Sequence, residues 1–226
     1  MKRLILNPRE ERRLLRGHAW AYRNEFASIP ECDDGETVDV YTADRRFVGR
    51  GFYQAAGGIA VRIMARHQAD TGAAWIRERI AEARAFRDRL FPDETVYRWV
   101  FGESDGLPGL VADRYGAVVA VESGCAFYAR HFDAIAEAFM AHEGIEGVRL
   151  EVAHRTVRVG TTPDPFEVVL GGVHAPVSLE SGQKTGLFLD QRANWPLIRR
   201  FAKGARVLDG HCYRGVWSVD AALAGA

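Results

Sequence analysis

The sequence predicts an α+β protein of several domains, and three observations carry that expectation. Thr37 to Tyr41, Phe47 to Tyr53 and Ile59 to Ala65 are short β-like runs set apart by Asp44-Arg45-Arg46 and Ala56-Gly57-Gly58, the spacing of a compact barrel or curled sheet. From Ala73 to Leu90, Trp75, Ile76, Ile80, Ala83, Phe86 and Leu90 recur at helical spacing, and strand-like and helical stretches then alternate. Finally, Ala205 to Asp209 is an apolar run ending in a carboxylate, Gly210 to Gly215 is a polar loop, and Val216 to Ala224 is alanine-rich and apolar. Strand, loop, helix is one βα unit, the opening of a nucleotide-binding fold, and it needs neighbouring strands and a second helix layer.

Composition narrows the class. The 226 residues are 47% hydrophobic and 27% charged, which excludes disordered and fibrous proteins. The formal net charge is zero, although 27 of the 30 basic residues are arginine, the side chain better suited to phosphate and base contacts. The segment Lys2 to Arg23 carries a local excess of positive charge. Cys32, Cys125 and Cys212 form no CxxC pair, so neither a disulfide framework nor a zinc spacing is expected, and a reducing cytoplasm is the expected setting. No apolar run is long enough for a membrane span or a signal peptide, and the histidines form no metal-binding pattern.

Each element has a local cause. Asn7 as N-cap, Pro8 at the first helical position and Glu10 two residues on predict a helix that ends after Leu15, before Gly17. A domain boundary is expected near Asp70-Thr71-Gly72, followed by the amphipathic helix to Leu90. Strand-like Val96 to Phe101, the turn-rich Glu103 to Gly109, a hairpin turning at Tyr115-Gly116 and a helix near His131 to His142 come next. Val148 to Val152 and Thr156 to Val159 are further strands. Phe166 to Leu170 and Val173 to Leu179 form a hairpin whose Gly171-Gly172 suits the positive φ of a tight turn. Pro196 predicts a helix beginning near Asn194.

The densest polar cluster is Ser181 to Arg192, where two glycines let backbone approach a ligand and Gln183, Lys184 and Arg192 offer contacts. Lys184-Thr185-Gly186 lacks the spacing of a P-loop. Gly210 and Gly215 do not make a GxGxxG fingerprint, which argues against a nicotinamide or flavin oxidoreductase.

Val207 to Ser218 resembles instead the first motif of class I S-adenosylmethionine-dependent methyltransferases. Gly17 to Glu25 with Val48 to Tyr53, Glu103 to Val111 with Asp113 to Gly116, and Gln183 to Gly186 through Asp190-Gln191-Arg192 resemble, in order, segments of the PUA-containing branch of that superfamily that includes the large-subunit rRNA cytosine-C5 methyltransferases. The resemblance covers nearly the whole chain but only the N-terminal portion of a family member. It implies a PUA-like RNA-binding domain at 1–70, a central α+β domain at 73–190, and at 191–226 the start of a truncated Rossmann-like domain for S-adenosylmethionine.

The same resemblance assigns cofactor contacts to Gln183, Lys184, Thr185, Gly186, Phe188, Asp190, Gln191, Arg192, Asp209, Cys212, Tyr213 and Gly215. RNA contacts fall to Arg12, Arg13, Arg16, Trp20, Arg23 and Arg50, guanidiniums for phosphates beside aromatic faces for unpaired bases. Large-subunit rRNA is then the partner, with a homodimer also open. The catalytic thiolate and base-binding group are expected beyond residue 226, because Cys212 matches the cysteine inside the cofactor loop, and Asp164-Pro165-Phe166 reads as a turn. The loop departs from the family pattern at Gly210, His211, Arg214, Val216 and Trp217, Val216 standing where a glycine is usual. Two expectations follow: an inactive chain whose residues Val207 to Ala226 pack poorly, or, alternatively, a non-catalytic RNA-binding module built on the first two domains.

Overall fold

The computed structural model describes residues 1–226. Its first sheet contains β1 (Lys2–Leu6), β2 (Trp20–Tyr22), β3 (Phe26–Ser28), β4 (Thr37–Tyr41), β5 (Phe47–Tyr53) and β6 (Ile59–Ala65), in the order β2-β6-β5-β4-β1-β3. Alternation of side chains sets its inner face: Leu4, Leu6, Val38, Val40, Val61 and Ile63 are buried together, with Ala21 and Phe26 from the two edge strands on the same core. Both edges therefore curl around one interior, as the sequence predicts. Gly51 is required where β5 meets β6, since a Cβ there would lie 1.9 Å from the carbonyl oxygen of Arg62.

Two details of this region differ from expectation. Lys2–Leu6 is a strand, parallel to β4, and the helix α1 spans only Glu11–Leu15. Arg9 stands at φ +74°, which breaks the helical run after Pro8, and the Asn7 side chain donates to the carbonyl of Asn24 instead of capping a helix.

After Gly72, α2 (Ala73–Leu90) leads into a second sheet ordered β11-β10-β9-β8-β7. Its strands are β7 (Val96–Phe101), β8 (Leu110–Tyr115), β9 (Val118–Ser123), β10 (Gly147–Val152) and β11 (Arg155–Gly160); only β9 and β10 run parallel. Between β9 and β10 lie α3 (Ala126–Ala129), which the sequence reading missed, and α4 (Phe132–Met140). One face of this sheet, with Trp99, Ala112, Val121 and Leu150, packs against Ile76 and Ile80 of α2 and Phe139 of α4.

The other face has a different cover. Val96, Tyr115, Val118 and Ala120 pack against the hairpin β12 (Phe166–Leu170) and β13 (Val173–Val177), and the same cluster takes in Leu187, Leu189, Trp195 and Val216. A single hydrophobic cluster thus spans both sides of residue 190, where the sequence reading sets a domain boundary. Gly171 and Gly172 both have positive φ at the hairpin turn. Phe52 joins the first sheet to the second unit: it is fully buried and its ring stacks on Phe127 at 4.8 Å.

The chain closes with α5 (Trp195–Ala202) and α6 (Val216–Leu223). The strand expected at Ala205 to Asp209 does not form. No strand lies beside it, and Leu208 is 94% exposed, so the apolar run has nothing to pair with or bury against. The βα unit is a coil followed by a helix. Its packing is uneven: Val216, Asp220 and Ala221 are buried, while Val207, Leu208 and Leu223 are exposed. No helix is long and apolar enough to cross a membrane.

Candidate functional site

The clearest concavity joins the two halves of the C-terminal region. A cavity of about 190 Å³ is lined by Phe188, Gln191 and Trp195 on one side and by Asp209 to Arg214, Val216 and Trp217 on the other. The loop after Asp209 turns sharply, with His211 at φ +61°, Tyr213 at φ +49° and Gly215 at φ +70°. Two non-glycine residues in left-handed conformations cost on the order of 1–2 kcal/mol each, a strain that clusters at binding sites. Gly215 then starts α6, and its N–H donates to the carbonyl of Cys212 at 2.7 Å. Val216, which stands where a glycine is usual, takes no positive φ: it is the first residue of α6, with its side chain in the hydrophobic cluster. The positive φ is carried by Gly215 instead.

Polar groups at the cavity are partly committed. The Ser218 hydroxyl donates to Asp209 Oδ2 at 2.8 Å, which orients a half-buried carboxylate at the end of the coil. Phe188 and Tyr213 meet edge to face at 5.2 Å, and the Arg214 guanidinium lies 5.2 Å from the Tyr213 ring. The buried Nε of Arg214 has no hydrogen-bond partner. Such an orphaned donor beside aromatic walls suits an anionic or hydroxyl-bearing ligand.

Of the residues assigned to a cofactor from sequence, Phe188, Gln191, Asp209, Cys212 and Tyr213 line this cavity. The others stand apart from it. Gln183 and Gly186 touch it through Tyr213, whose Oη accepts the Gln183 N–H at 2.8 Å and donates to the Gly186 carbonyl at 3.1 Å. Lys184 lies 3.6 Å from Asp190 and 4.6 Å from the Phe188 ring. Arg192 pairs with Glu94 at 2.8 Å and lies over Phe91, so its charge is spent inside the fold. Thr185 is only 1% exposed and faces the second sheet. Leu187 and Trp195 carry no motif signal of their own and were not assigned to the site from sequence, whereas His211 and Trp217 were passed over as departures from the family pattern although both line the cavity.

Across the Gly182 to Gly186 loop lies an open groove of about 520 Å³, lined by Glu122, Ser123, Glu151 and His154 of the second sheet and by Gly182 and Lys184. Glu122 and Glu151 are cross-strand neighbours, and burial, then Glu151, pushes the Glu122 carboxyl above its ordinary range.

The basic N-terminal face divides similarly. Arg12 and Arg16 are exposed on and just after α1, and their guanidiniums make no ion pair or hydrogen bond. Arg13 is bound to Glu25 and His18, and Arg23 donates to Tyr53 Oη and to the carbonyls of Gln54 and Ala55. Arg50 makes a bidentate pair with Asp39, at 2.7 and 3.1 Å, and holds the Ala69 carbonyl. Trp20 is half-buried: its Nε1–H donates to Glu103 at 2.5 Å, and the same carboxylate oxygen accepts from Arg62 at 2.5 Å. Four of the six assigned RNA contacts are therefore held by internal partners, which leaves Arg12 and Arg16 as the free cations.

Comparison with known proteins supplies context for this geometry. A family model described as a PUA-like domain matches residues 4–66. The chain is 34% identical to the ribosomal RNA large subunit methyltransferase I of Pseudoalteromonas atlantica over 241 residues, covering 99% of this chain and 60% of the relative. It is 33% identical to the protein of that name from Shewanella denitrificans, covering 61% of its length. Among solved structures, a candidate SAM-dependent methyltransferase from Streptococcus mutans superposes with a TM-score of 0.87 at 23% identity, covering the whole of this chain and 61% of that one. A candidate methyltransferase complexed with SAH gives 0.88 at 22% identity and the same coverage. The chain thus carries a PUA-like domain at its N-terminus, shares a fold with these methyltransferase structures, and spans about three-fifths of the length of the curated relatives it matches.

Proposed function

We propose that this chain takes part in S-adenosylmethionine-dependent methylation of large-subunit rRNA, with the PUA-like region recruiting RNA and the cavity at Phe188, Asp209 and Tyr213 contacting the cofactor. The observation that carries the reading is the cavity itself: an oriented carboxylate, aromatic walls and a strained, glycine-capped loop meet at one concavity, in a fold shared with a structure complexed with SAH. Asp209 suits the hydroxyls of a ribose, Phe188 and Trp217 suit the faces of a purine, and the orphaned Arg214 Nε suits a carboxylate. When bound, the cofactor supplies an electrophilic methyl group. The residues here would bind and orient it.

The target atom we favour is cytosine C5, on the resemblance of the Gln183 to Arg192 and Val207 to Ser218 segments. We assign domains at 1–70, 73–190 and 191–226, the last two packed on each other through one hydrophobic cluster. Arg12 and Arg16 are the side chains most available to phosphate, whereas Trp20 is half-buried with the Arg62 guanidinium 5.5 Å from its ring centre. Calorimetric titration with SAH tests the cofactor half of the reading: micromolar binding that Asp209→Ala weakens supports it, and no heat at millimolar SAH overturns it. A gel shift with rRNA fragments tests the other half. Arg12→Ala with Arg16→Ala should weaken binding and flatten its dependence on salt.

A further inference from the structure

The Gly182 to Gly186 loop is held from two sides, and only one of them belongs to the cavity. On the cavity side Tyr213 grips Gln183 and Gly186. On the other side the second sheet reaches the loop through a buried chain of hydrogen bonds whose direction is fixed by its ends. Thr185 Oγ1 donates to the Asp113 carboxylate, which only accepts. The Leu187 N–H, which only donates, reaches Tyr115 Oη at 2.9 Å. Between them Tyr115 Oη and Thr185 Oγ1 are 3.3 Å apart, so Tyr115 must donate to Thr185. The order is Leu187 N–H to Tyr115 to Thr185 to Asp113.

Asp113 is fully buried and would be costly to place there as an unpaired anion. The Arg98 guanidinium closes the chain with two bonds, Nε at 2.7 Å and Nη2 at 2.9 Å. Every polar atom named in this chain has a partner, and a fully satisfied buried network specifies one arrangement of the segments it joins. Close backbone approach requires glycine at the start of the loop: a Cβ on Gly182 would lie 2.3 Å from the Ser178 carbonyl oxygen and 2.8 Å from Gly186 Cα.

We propose that Thr185, through the Asp113–Arg98 pair and Tyr115, is a positioning residue that fixes the Gly182 to Gly186 loop so that Tyr213 and Phe188 are preset for the cofactor. This rests on the proposed cofactor cavity for its functional consequence, but not for the coupling itself. Thr185 contacts no ligand in this scheme. It matters because a loop with glycines at both ends and Lys184 at φ +53° would otherwise sample several conformations.

The test compares Thr185→Val, which keeps shape and removes the hydroxyl, with Thr185→Ser, which keeps the hydroxyl. Amide hydrogen exchange is read on the intact chain without ligand, and SAH titration is run on the same samples. Thr185→Val should speed exchange of Gln183, Gly186 and Leu187 about fivefold to thirtyfold, the loss of one to two net hydrogen bonds, while amides of β8 and β9 stay protected. Thr185→Ser should restore slow exchange. Tyr115→Phe should loosen Leu187 in the same way. SAH affinity should fall by a similar factor in Thr185→Val and recover in Thr185→Ser.

Unchanged loop exchange in Thr185→Val, or a Thr185→Ser variant as loose as Thr185→Val, overturns the proposal. So does equal SAH affinity in the wild type and Thr185→Val. A wild type that does not bind SAH removes the cofactor reading instead, and the exchange data then decide the coupling alone.

Discussion

Thr37–Tyr41 and Ala205 to Asp209 are both short apolar runs containing a carboxylate, yet only the first is a strand. Thr37–Tyr41 lies between β1 and β5, and Val38 and Val40 are fully buried. Ala205 to Asp209 has no strand on either side, and Leu208 projects into solvent. Burying a Val or Leu side chain contributes about 1.5–3 kcal/mol, and that gain exists only where a core receives it. A strand is a property of a pair of segments. A pattern in one of them is an invitation that the rest of the chain accepts or leaves open.

The largest effect expected from this contrast is at the junction of the first sheet and the second unit. Phe52→Ala removes a fully buried ring stacked on Phe127 and should cost about 3–5 kcal/mol in urea unfolding. A loss below about 1 kcal/mol would mean that the first sheet and the second unit are not joined through this contact. Next in size, Tyr213→Phe removes the two hydrogen bonds to Gln183 and Gly186 and should cost about 1–2 kcal/mol locally, read as weaker SAH binding with little change in the global unfolding midpoint.

Acid should separate the regions more gently. Burial lowers the pKa of His142, packed on Trp99, and of His131, packed on Phe127, below the ordinary histidine value. The unfolded chain therefore binds more protons than the folded one just below pH of about 6.5, so stability falls as pH drops through that value toward the lowered folded pKa. His142→Phe should reduce that acid dependence; an unchanged slope of stability against pH would remove His142 as its source. Smallest of all, Leu208→Ala should change stability by less than about 0.5 kcal/mol. A cost near that of Phe52→Ala would show that Ala205 to Asp209 is packed in solution.

The same contrast explains what was legible in the sequence. Strands β4, β5 and β6, helix α2 and the Phe166 to Val177 hairpin read directly from period and turn chemistry, because their alternation or helical stripe matches the surface they bury. The first helix ends at Leu15 as its sequence predicts but starts late, at Glu11, because Arg9 takes a left-handed backbone that no composition rule foretells. Site residues read less well. Motif resemblance pointed to Phe188, Gln191, Asp209, Cys212 and Tyr213, which converge on one cavity, but it could not separate them from Thr185 and Arg192, which face inward to Asp113 and Glu94. Arg23 and Arg50 are expected as RNA contacts from the PUA-like segments that hold them. Whether a guanidinium is free depends on which acids and carbonyls the fold sets opposite it, here Asp39 for Arg50 and the carbonyls of Gln54 and Ala55 for Arg23.

The Gly182 to Gly186 loop is a partition with a chamber on each side: Tyr213 borders the aromatic cavity, and Gly182 and Lys184 border the acidic groove of Glu122 and Glu151. Where two chambers share a wall and each takes a guest, their affinities are bound by reciprocity. Whatever factor a guest in one applies to affinity in the other must be returned unchanged in the opposite direction. Reading that factor takes two titrations of one chamber, the first with the other empty and the second with it filled.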